Sequence, residues 1–133
     1  LEPQTTVKTR QIAETLEIPE HFLGKVMSQL VKKKLVSSAK GPSGGFALAV
    51  DPNKITLYRI LATLDGLSVL EEDCVMGLNE CSESTPCALH NYWVNFRAEA
   101  VQRAQKLTLT ELADTIVRKL DFKGIGKLAD SSK

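Results

Sequence analysis

Leu35-Val36-Ser37-Ser38-Ala39-Lys40-Gly41-Pro42-Ser43-Gly44-Gly45-Phe46-Ala47-Leu48-Ala49-Val50 is the stretch whose reading decides the fold. Leu35 to Ala39 favours extended backbone, and Phe46, Leu48 and Val50 alternate with Ala47 and Ala49 at the two-residue period of a strand. Between the two runs, Lys40-Gly41-Pro42-Ser43-Gly44-Gly45 supplies a turn with glycines wherever a positive φ is required. The stretch therefore predicts a two-stranded hairpin with a cation, Lys40, at its tip.

Two helices are predicted ahead of the hairpin. Thr9 caps the first, whose inward residues Ile12, Ala13 and Leu16 recur at helical spacing. Pro19 interrupts it, because a proline disfavours helical geometry at Ile18 while fitting the first turn of a new helix. The second helix runs from about Pro19 to Lys33, with one apolar stripe of Phe22, Leu23, Val26, Met27, Leu30 and Val31. Its opposite face carries Glu20, His21, Gly24, Lys25, Ser28, Gln29 and Lys32. Short helix, tight turn and second helix with a polar outer face form a helix-turn-helix pattern, although two packed helices of any small α domain would read the same. The hairpin tips the balance, because a two-stranded hairpin directly after a helix-turn-helix is a wing.

Charge is consistent with a nucleic-acid partner for this front segment. Seven basic residues stand against three acids between Lys8 and Lys40, while six acids and no base lie between Asp65 and Glu83. From Arg97 onward bases again lead, eight to five. A basic front suits a phosphate backbone, and the acidic middle should face away from it. On this reading His21, Lys25, Ser28 and Gln29 meet base edges and backbone in a major groove. Lys32, Lys40, Gly41, Ser43 and Gly44 meet phosphates or the minor groove. Lys32-Lys33-Lys34 also suits the negative end of a helix dipole, and a winged helix that contacts protein instead remains the alternative use.

Asp51-Pro52-Asn53 ends the wing, and Thr56 caps a short helix with Leu57, Ile60, Leu61 and Leu64 inward, stopped by Asp65-Gly66. An acidic linker through Asp73 then leads to the chemistry of the chain. All three cysteines and one of the two histidines fall in the Cys74-x6-Cys81-x5-Cys87-x2-His90 segment. Zinc knuckles prefer pairs two to four residues apart, so this loose spacing suits zinc poorly. Thiolate loops of this length can wrap an iron–sulfur cluster, and imidazole also binds iron. Pro86 predicts a helix start that places Cys87 at the positive end of a dipole, with His90 three residues on along the same face. The alternatives are cysteines that act as bare thiol sensors or as ordinary loop thiols. An enzyme with Cys87 as nucleophile and His90 as base lacks an orienting third group and an oxyanion device.

From Ala88 to about Leu107 runs the longest helical pattern, with Leu89, Trp93, Phe96, Ala100, Ala104 and Leu107 along one face and Tyr92 beside them. A helix of ~20 residues is ~30 Å long, more than a small winged domain needs for its own core, so a symmetric subunit interface is the expected use and burial within one subunit the alternative. Thr108-Leu109-Thr110-Glu111 is a capping box that opens a further helix bearing Leu112, Ile116 and Leu120. The tail from Phe122 has no period and is expected to be mobile. Domain bounds follow: 1–66 reader, 67–87 acidic linker and cysteine loop, 88–121 dimer helix and C-terminal helix, 122–133 tail. No apolar run approaches the ~20 residues of a membrane span, no signal-peptide pattern is visible, and three cysteines argue for ligands or sensors in a reducing, cytoplasmic compartment rather than a disulfide framework.

These residues together resemble the IscR/NsrR family of bacterial winged-helix transcription regulators, also called the Rrf-two family. The likeness is carried by Ile12-Ala13-Glu14, Ile18-Pro19-Glu20-His21-Phe22-Leu23, Leu35-Val36, the Lys40 to Phe46 turn and Ile55-Thr56-Leu57. It continues through the three cysteines with His90 and Trp93, and through Thr108 to Ala113, covering roughly residues 6 to 118. The resemblance implies a mainly α fold with a β-hairpin wing: a winged helix-turn-helix domain plus a long dimerisation helix. It implies a homodimer on a palindromic double-stranded DNA operator, most often a repressor, whose affinity follows the state of a cluster that senses nitric oxide, redox or iron–sulfur status. In the iron–sulfur-regulating branch a histidine at the position of His90 completes a 2Fe–2S site with three cysteines. The nitric-oxide-sensing branch takes its fourth ligand elsewhere and holds 4Fe–4S. The interval from Cys74 to Cys81 is one residue longer than in the histidine-using branch. Gly24 stands where some members carry an acid used in operator discrimination, and the family's first helix would precede Leu1.

Overall fold

The computed structural model describes residues 6–42, 44–79 and 82–120. It comprises α1 (Thr9–Leu16), α2 (Glu20–Lys32), β1 (Val36–Ala39), β2 (Gly45–Leu48), a single 3-10 turn (Pro52–Lys54), α3 (Leu57–Thr63), α4 (Ser68–Glu71), α5 (His90–Lys106) and α6 (Leu109–Leu120). A mainly helical chain with one antiparallel hairpin is the expected fold class. The described residues group into two compact units, one of residues up to Ile55 together with those from Thr108, the other Thr56–Leu107.

In the first unit, α1 packs on α2 and α2 on β1. Ala13 of α1, Leu23 and Met27 of α2, Leu35 and Val36 form its buried centre with Ile55. Two expected inward residues are out in solvent: Leu16 and Phe22, the latter 57% exposed. They flank the turn between the helices, where the apolar stripe outruns the surface available to cover it. Thr9 proves to be the first helical residue rather than the cap. Lys8 precedes it, and the Lys8 amide donates to the Gln11 side chain (3.0 Å). Pro19 likewise stands just outside α2, with an extended backbone, and its carbonyl accepts from Leu23 N–H (3.1 Å).

Both helices end the same way. Glu17 (φ 55°) and Lys34 (φ 62°) take left-handed backbone. The next residue, Ile18 or Leu35, donates back to Ala13 or Leu30 at 3.0 Å, which satisfies carbonyls the helix end leaves open. Leu35, 2% exposed, is thereby swung into the core at the start of the hairpin.

The hairpin pairs Val36 with Leu48, Ser37 with Ala47, Ser38 with Phe46 and Ala39 with Gly45. Val7 bridges the free edge of β2, with Val7 N–H to Phe46 C=O and Phe46 N–H to Val7 C=O both at 2.8 Å. This third pairing was invisible in sequence, since one residue has no period. It explains Gly45: at φ 146° a Cβ there would sit 2.7 Å from the Val7 carbonyl oxygen. At Gly44 a Cβ would overlap the Ala39 carbonyl.

The α6 helix belongs to this unit too. The Leu109 amide donates to the Ile55 carbonyl (2.8 Å), and α6 packs on the 3-10 turn, which the Asp51 carboxylate caps by accepting from Asn53 N–H (2.9 Å). The expected capping box is formed: the Thr108 hydroxyl accepts from Glu111 N–H (3.3 Å), and the Glu111 carboxylate accepts from Thr108 N–H (2.9 Å). Ile116, expected inward, is exposed.

In the second unit, α3 and α4 both pack on α5. Thr56 caps α3 as expected, its hydroxyl accepting from Arg59 N–H (3.2 Å), and Asp65 (φ 57°) closes it. The expected linker to Asp73 contains a helix instead, the single turn α4, braced by the Tyr58 hydroxyl donating to Glu71 Oε1 (2.9 Å). α5 begins at His90, two residues later than expected. Pro86 and Cys87 therefore precede the helix, and Cys87 does not occupy its N-terminal turn. Ser43, Cys81 and the tail from Phe122 lie outside the described residues.

Candidate DNA-reading face and cysteine site

The polar face of α2 and the start of α1 enclose a shallow groove of about 720 Å³ lined by Thr9, Glu20, His21, Gly24, Lys25 and Ser28. Three of the expected base-reading residues, His21, Lys25 and Ser28, thus share one concavity. Gln29 and Lys32 are exposed on the same helix without lining it. The Ser28 hydroxyl donates to the Gly24 carbonyl one turn back (2.9 Å), leaving the oxygen's lone pairs outward as acceptors. Nothing lies within 4 Å of where a Cβ on Gly24 would be, so the groove floor is open there. Glu20 belongs to the polar face of α2 read from sequence, whereas Thr9 was not expected in the groove, because a wall from a neighbouring helix carries no local signal. Lys40 and Gly41 are exposed at the wing tip, Gly41 at φ 99°, and Gly44 is buried against Ala39.

In the second unit, Cys74, Cys87 and His90 come together. With Leu78, Ser82, Thr85 and Pro86 they line one cavity of about 130 Å³, room for roughly four waters. Cys74 and Cys87 are half-buried free thiols, and His90 is 7% exposed rather than a surface residue. The Cys74 turn is tight: Gly77 N–H donates to Cys74 C=O (2.9 Å), with Gly77 at φ 73° and Asn79 at φ 51°. That turn aims amides at the Cys74 sulfur and holds its pKa below the ordinary thiol value. The Leu78 N–H contributes most and the Met76 N–H next; partial desolvation pushes the other way, and the Cys87 thiol and Gly77 N–H add to the lowering. The expected device, a helix dipole on Cys87, is replaced by loop amides on Cys74. The turn residues around Gly77 were the available signal.

The Cys87 carbonyl accepts from His90 N–H (3.1 Å), so one turn delivers both donors to the cavity at the entrance of α5. Among the described residues, no three His, Cys, Asp or Glu side chains already surround a single metal-sized point. The donor chemistry nevertheless suits a soft metal centre: two thiols, one stabilised as thiolate, and a buried imidazole at one small cavity.

A family profile described as "Rrf2: Iron-dependent Transcriptional regulator" matches residues 1–115. A putative HTH-type transcriptional regulator of Aquifex aeolicus is 38% identical over 108 residues, spanning 80% of this chain and 74% of that protein. HTH-type transcriptional regulator IscR of Vibrio campbellii is 31% identical over 109 residues, 82% of this chain but 64% of the relative, so the chain spans less than two thirds of it. Among solved structures, CymR (YrzC), the global cysteine regulator of B. subtilis, has a TM-score of 0.66 at 28% identity, covering 84% of this chain and 81% of that one. T. potens IscR, at 23% identity, TM-score 0.61 and coverage of 84% and 72%, shares the fold. These relatives are transcriptional regulators and not enzymes. On the profile match and the Aquifex and Vibrio likenesses, the chain belongs to the Rrf2 family of winged-helix transcription regulators.

Proposed function

We propose that this chain is a homodimeric repressor that binds a palindromic operator and whose affinity is set by an iron–sulfur cluster sensing nitric oxide, redox or iron–sulfur status. The observation that carries the reading is the shared cavity of Cys74, Cys87 and His90. Cys74, Cys87 and Cys81 would hold the cluster, with His90 as fourth ligand. A histidine-ligated site favours 2Fe–2S, and a fourth ligand from elsewhere favours 4Fe–4S. When bound, the cluster supplies a redox-active centre that reacts with nitric oxide and oxidants. The chain's own residues do the rest. The amides of Leu78, Met76 and Gly77 lower the pKa of Cys74 and so favour its thiolate, and His90 fixes the cavity to the first residue of α5. Ordering of the 74–90 loop would thus act on the helix expected to join two subunits. His21, Lys25, Ser28 and Gln29 would meet major-groove edges and backbone, and Lys32, Lys40, Gly41 and Ser43 the phosphates or minor groove, while Gly44, buried against Ala39, shapes the wing turn instead of touching DNA. The working parts would be the reader, 1–66, the acidic linker and cysteine loop, 67–87, the dimer helix and C-terminal helix, 88–121, and the tail, 122–133, although α3 packs with α5 and α6 with the 3-10 turn of the reader.

Anaerobic reconstitution with iron and sulfide, followed by absorption spectroscopy and iron and sulfide assay, tests this. Visible absorption with stoichiometric sulfide is expected, and His90→Ala should change its spectrum. A colourless protein with no sulfide would defeat the cluster.

One observation favours a second reading, a cluster-free thiol sensor. The Cys87 thiol donates to Cys74, so an oxidant such as peroxide could take two electrons and two protons from the pair and leave a disulfide. His90→Ala discriminates, since thiol sensing should survive it. Operator binding itself is tested by gel shift at several salt concentrations, where phosphate neutralisation produces a steep salt slope.

A further inference from the structure

The chain's one tryptophan sits where the cysteine loop meets α5. Trp93 Nε1–H donates to the carbonyl of Asp73 (3.1 Å), the residue immediately before Cys74. The same Asp73 is held at its other end, its N–H donating to the Ser68 carbonyl of α4 (2.8 Å). The limb that presents the Cys74 sulfur is therefore pinned between α4 and the Trp93 ring. On the other side, Trp93 stacks on Phe96 (centroids 5.3 Å, planes 21° apart), and Phe96 stacks on Tyr92 (6.5 Å, 12°). Tyr92 is 71% exposed and Phe96 about half exposed. His90, three residues before Trp93 on α5, lines the cysteine cavity, so cavity, tether and exposed aromatic pair follow one another along successive turns of one helix.

We propose that Trp93 is a positioning residue that couples the state of the cysteine loop to the exposed aromatic face of α5, acting through its N–H bond to the Asp73 carbonyl and its stack on Phe96. The coupling rests on the reading of this loop as the sensor. A ligand or modification at Cys74 displaces the sulfur, and Asp73 is covalently next to it. The rigid indole cannot keep both its carbonyl partner and its ring contact unless it moves with the limb. Because the indole is bicyclic and turns on only two torsions, a shift of its N–H end is passed to Phe96 and Tyr92 rather than absorbed. The loop state thus becomes a change in the shape of an apolar surface.

Because the chain has a single tryptophan, its fluorescence reads this residue alone. The first arm uses the metal-free full chain and iodoacetamide, with modification at Cys74 verified by mass spectrometry. The tryptophan emission should shift as the indole loses its carbonyl partner, and an unchanged spectrum would overturn the coupling. The second arm compares Trp93→Phe, which keeps a ring and deletes the N–H, with the parent chain. Alkylation at Cys74 should accelerate about three- to tenfold relative to Cys87 in the same molecule, the effect expected from losing one hydrogen bond. Equal acceleration at both thiols, or none, would reduce Trp93 to a structural role and sink the proposal. The third arm loads both chains with ferrous iron and sulfide. Trp93→Phe should keep the loaded spectrum but narrow the loaded-to-empty ratio of operator affinity. An unnarrowed ratio would count against the coupling. If neither chain binds iron or sulfide, the cluster reading fails while the two alkylation arms still decide the tether.

Discussion

Gly44 shows how much one missing carbon decides at the residue scale. Its Cα faces the Ala39 carbonyl so closely that a methyl group would overlap backbone, which cannot rotate away as a flexible side chain could. Gly44→Ala should cost about 1–3 kcal/mol in urea unfolding and splay the wing, lowering operator affinity in gel shift. Gly24 is the reverse: it lies inside α2 and a side chain there meets open space, so Gly24→Ala should stabilise the chain by about 0.5–1 kcal/mol in urea unfolding. Tyr58 carries a pH signature. Its hydroxyl donates to Glu71, and this bond first, then burial and the carboxylate's charge, raise the phenol above 10.0. A raised folded pKa means the bond stabilises the protein fully below the unfolded value and is lost as pH climbs through the folded one. Tyr58→Phe should therefore be less stable than the parent at neutral pH, and their thermal unfolding temperatures should converge above about pH 10. A constant gap would refute the assignment.

At the scale of elements, helix ends carry much of the local specification. α1, α2 and α3 close on Glu17, Lys34 and Asp65, all in left-handed backbone that glycine adopts at lower cost. Glu17→Gly should stabilise the chain by about 0.5–1 kcal/mol in urea unfolding, and a loss would show that the Glu17 side chain holds an unrecognised partner. These ends were partly legible. Pro19 and Asp65-Gly66 marked where helices stop, but which residue turns left-handed depends on the hydrogen bond back to the last turn. The capping box at Thr108 was fully legible, because all its atoms lie within four residues. The start of α5 was misjudged for a related reason. Pro86 suits a first helical turn, yet the chain spends Cys87 to Leu89 on a separate turn that brings Cys87 to the cavity before the helix begins.

For the whole molecule, the prediction concerns association. Leu89, Tyr92 and Phe96 are exposed apolar residues of α5 and its cap. The expected use of this helix as a subunit interface makes them its anchors. Tyr92→Asp with Phe96→Asp should convert a dimer to a monomer in sedimentation velocity and weaken operator binding by about a hundredfold or more, because two half-sites are then no longer held by one body. A parent chain that sediments as a monomer at micromolar concentration would defeat the expectation.

The sequence by itself determined the helix-turn-helix, the glycine-tipped hairpin, the capped helices and the gathering of three thiols and an imidazole in one short segment, because periodicity, turn chemistry and capping act over a few residues. Only the tertiary structure decided that Val7 would add itself to the hairpin and that Leu109 would return to Ile55. It likewise decided that Trp93 would tie down the residue before Cys74. Those are single hydrogen bonds between segments far apart in the chain. They leave no repeat in the sequence and exist because buried backbone groups must find partners wherever the packed elements bring them.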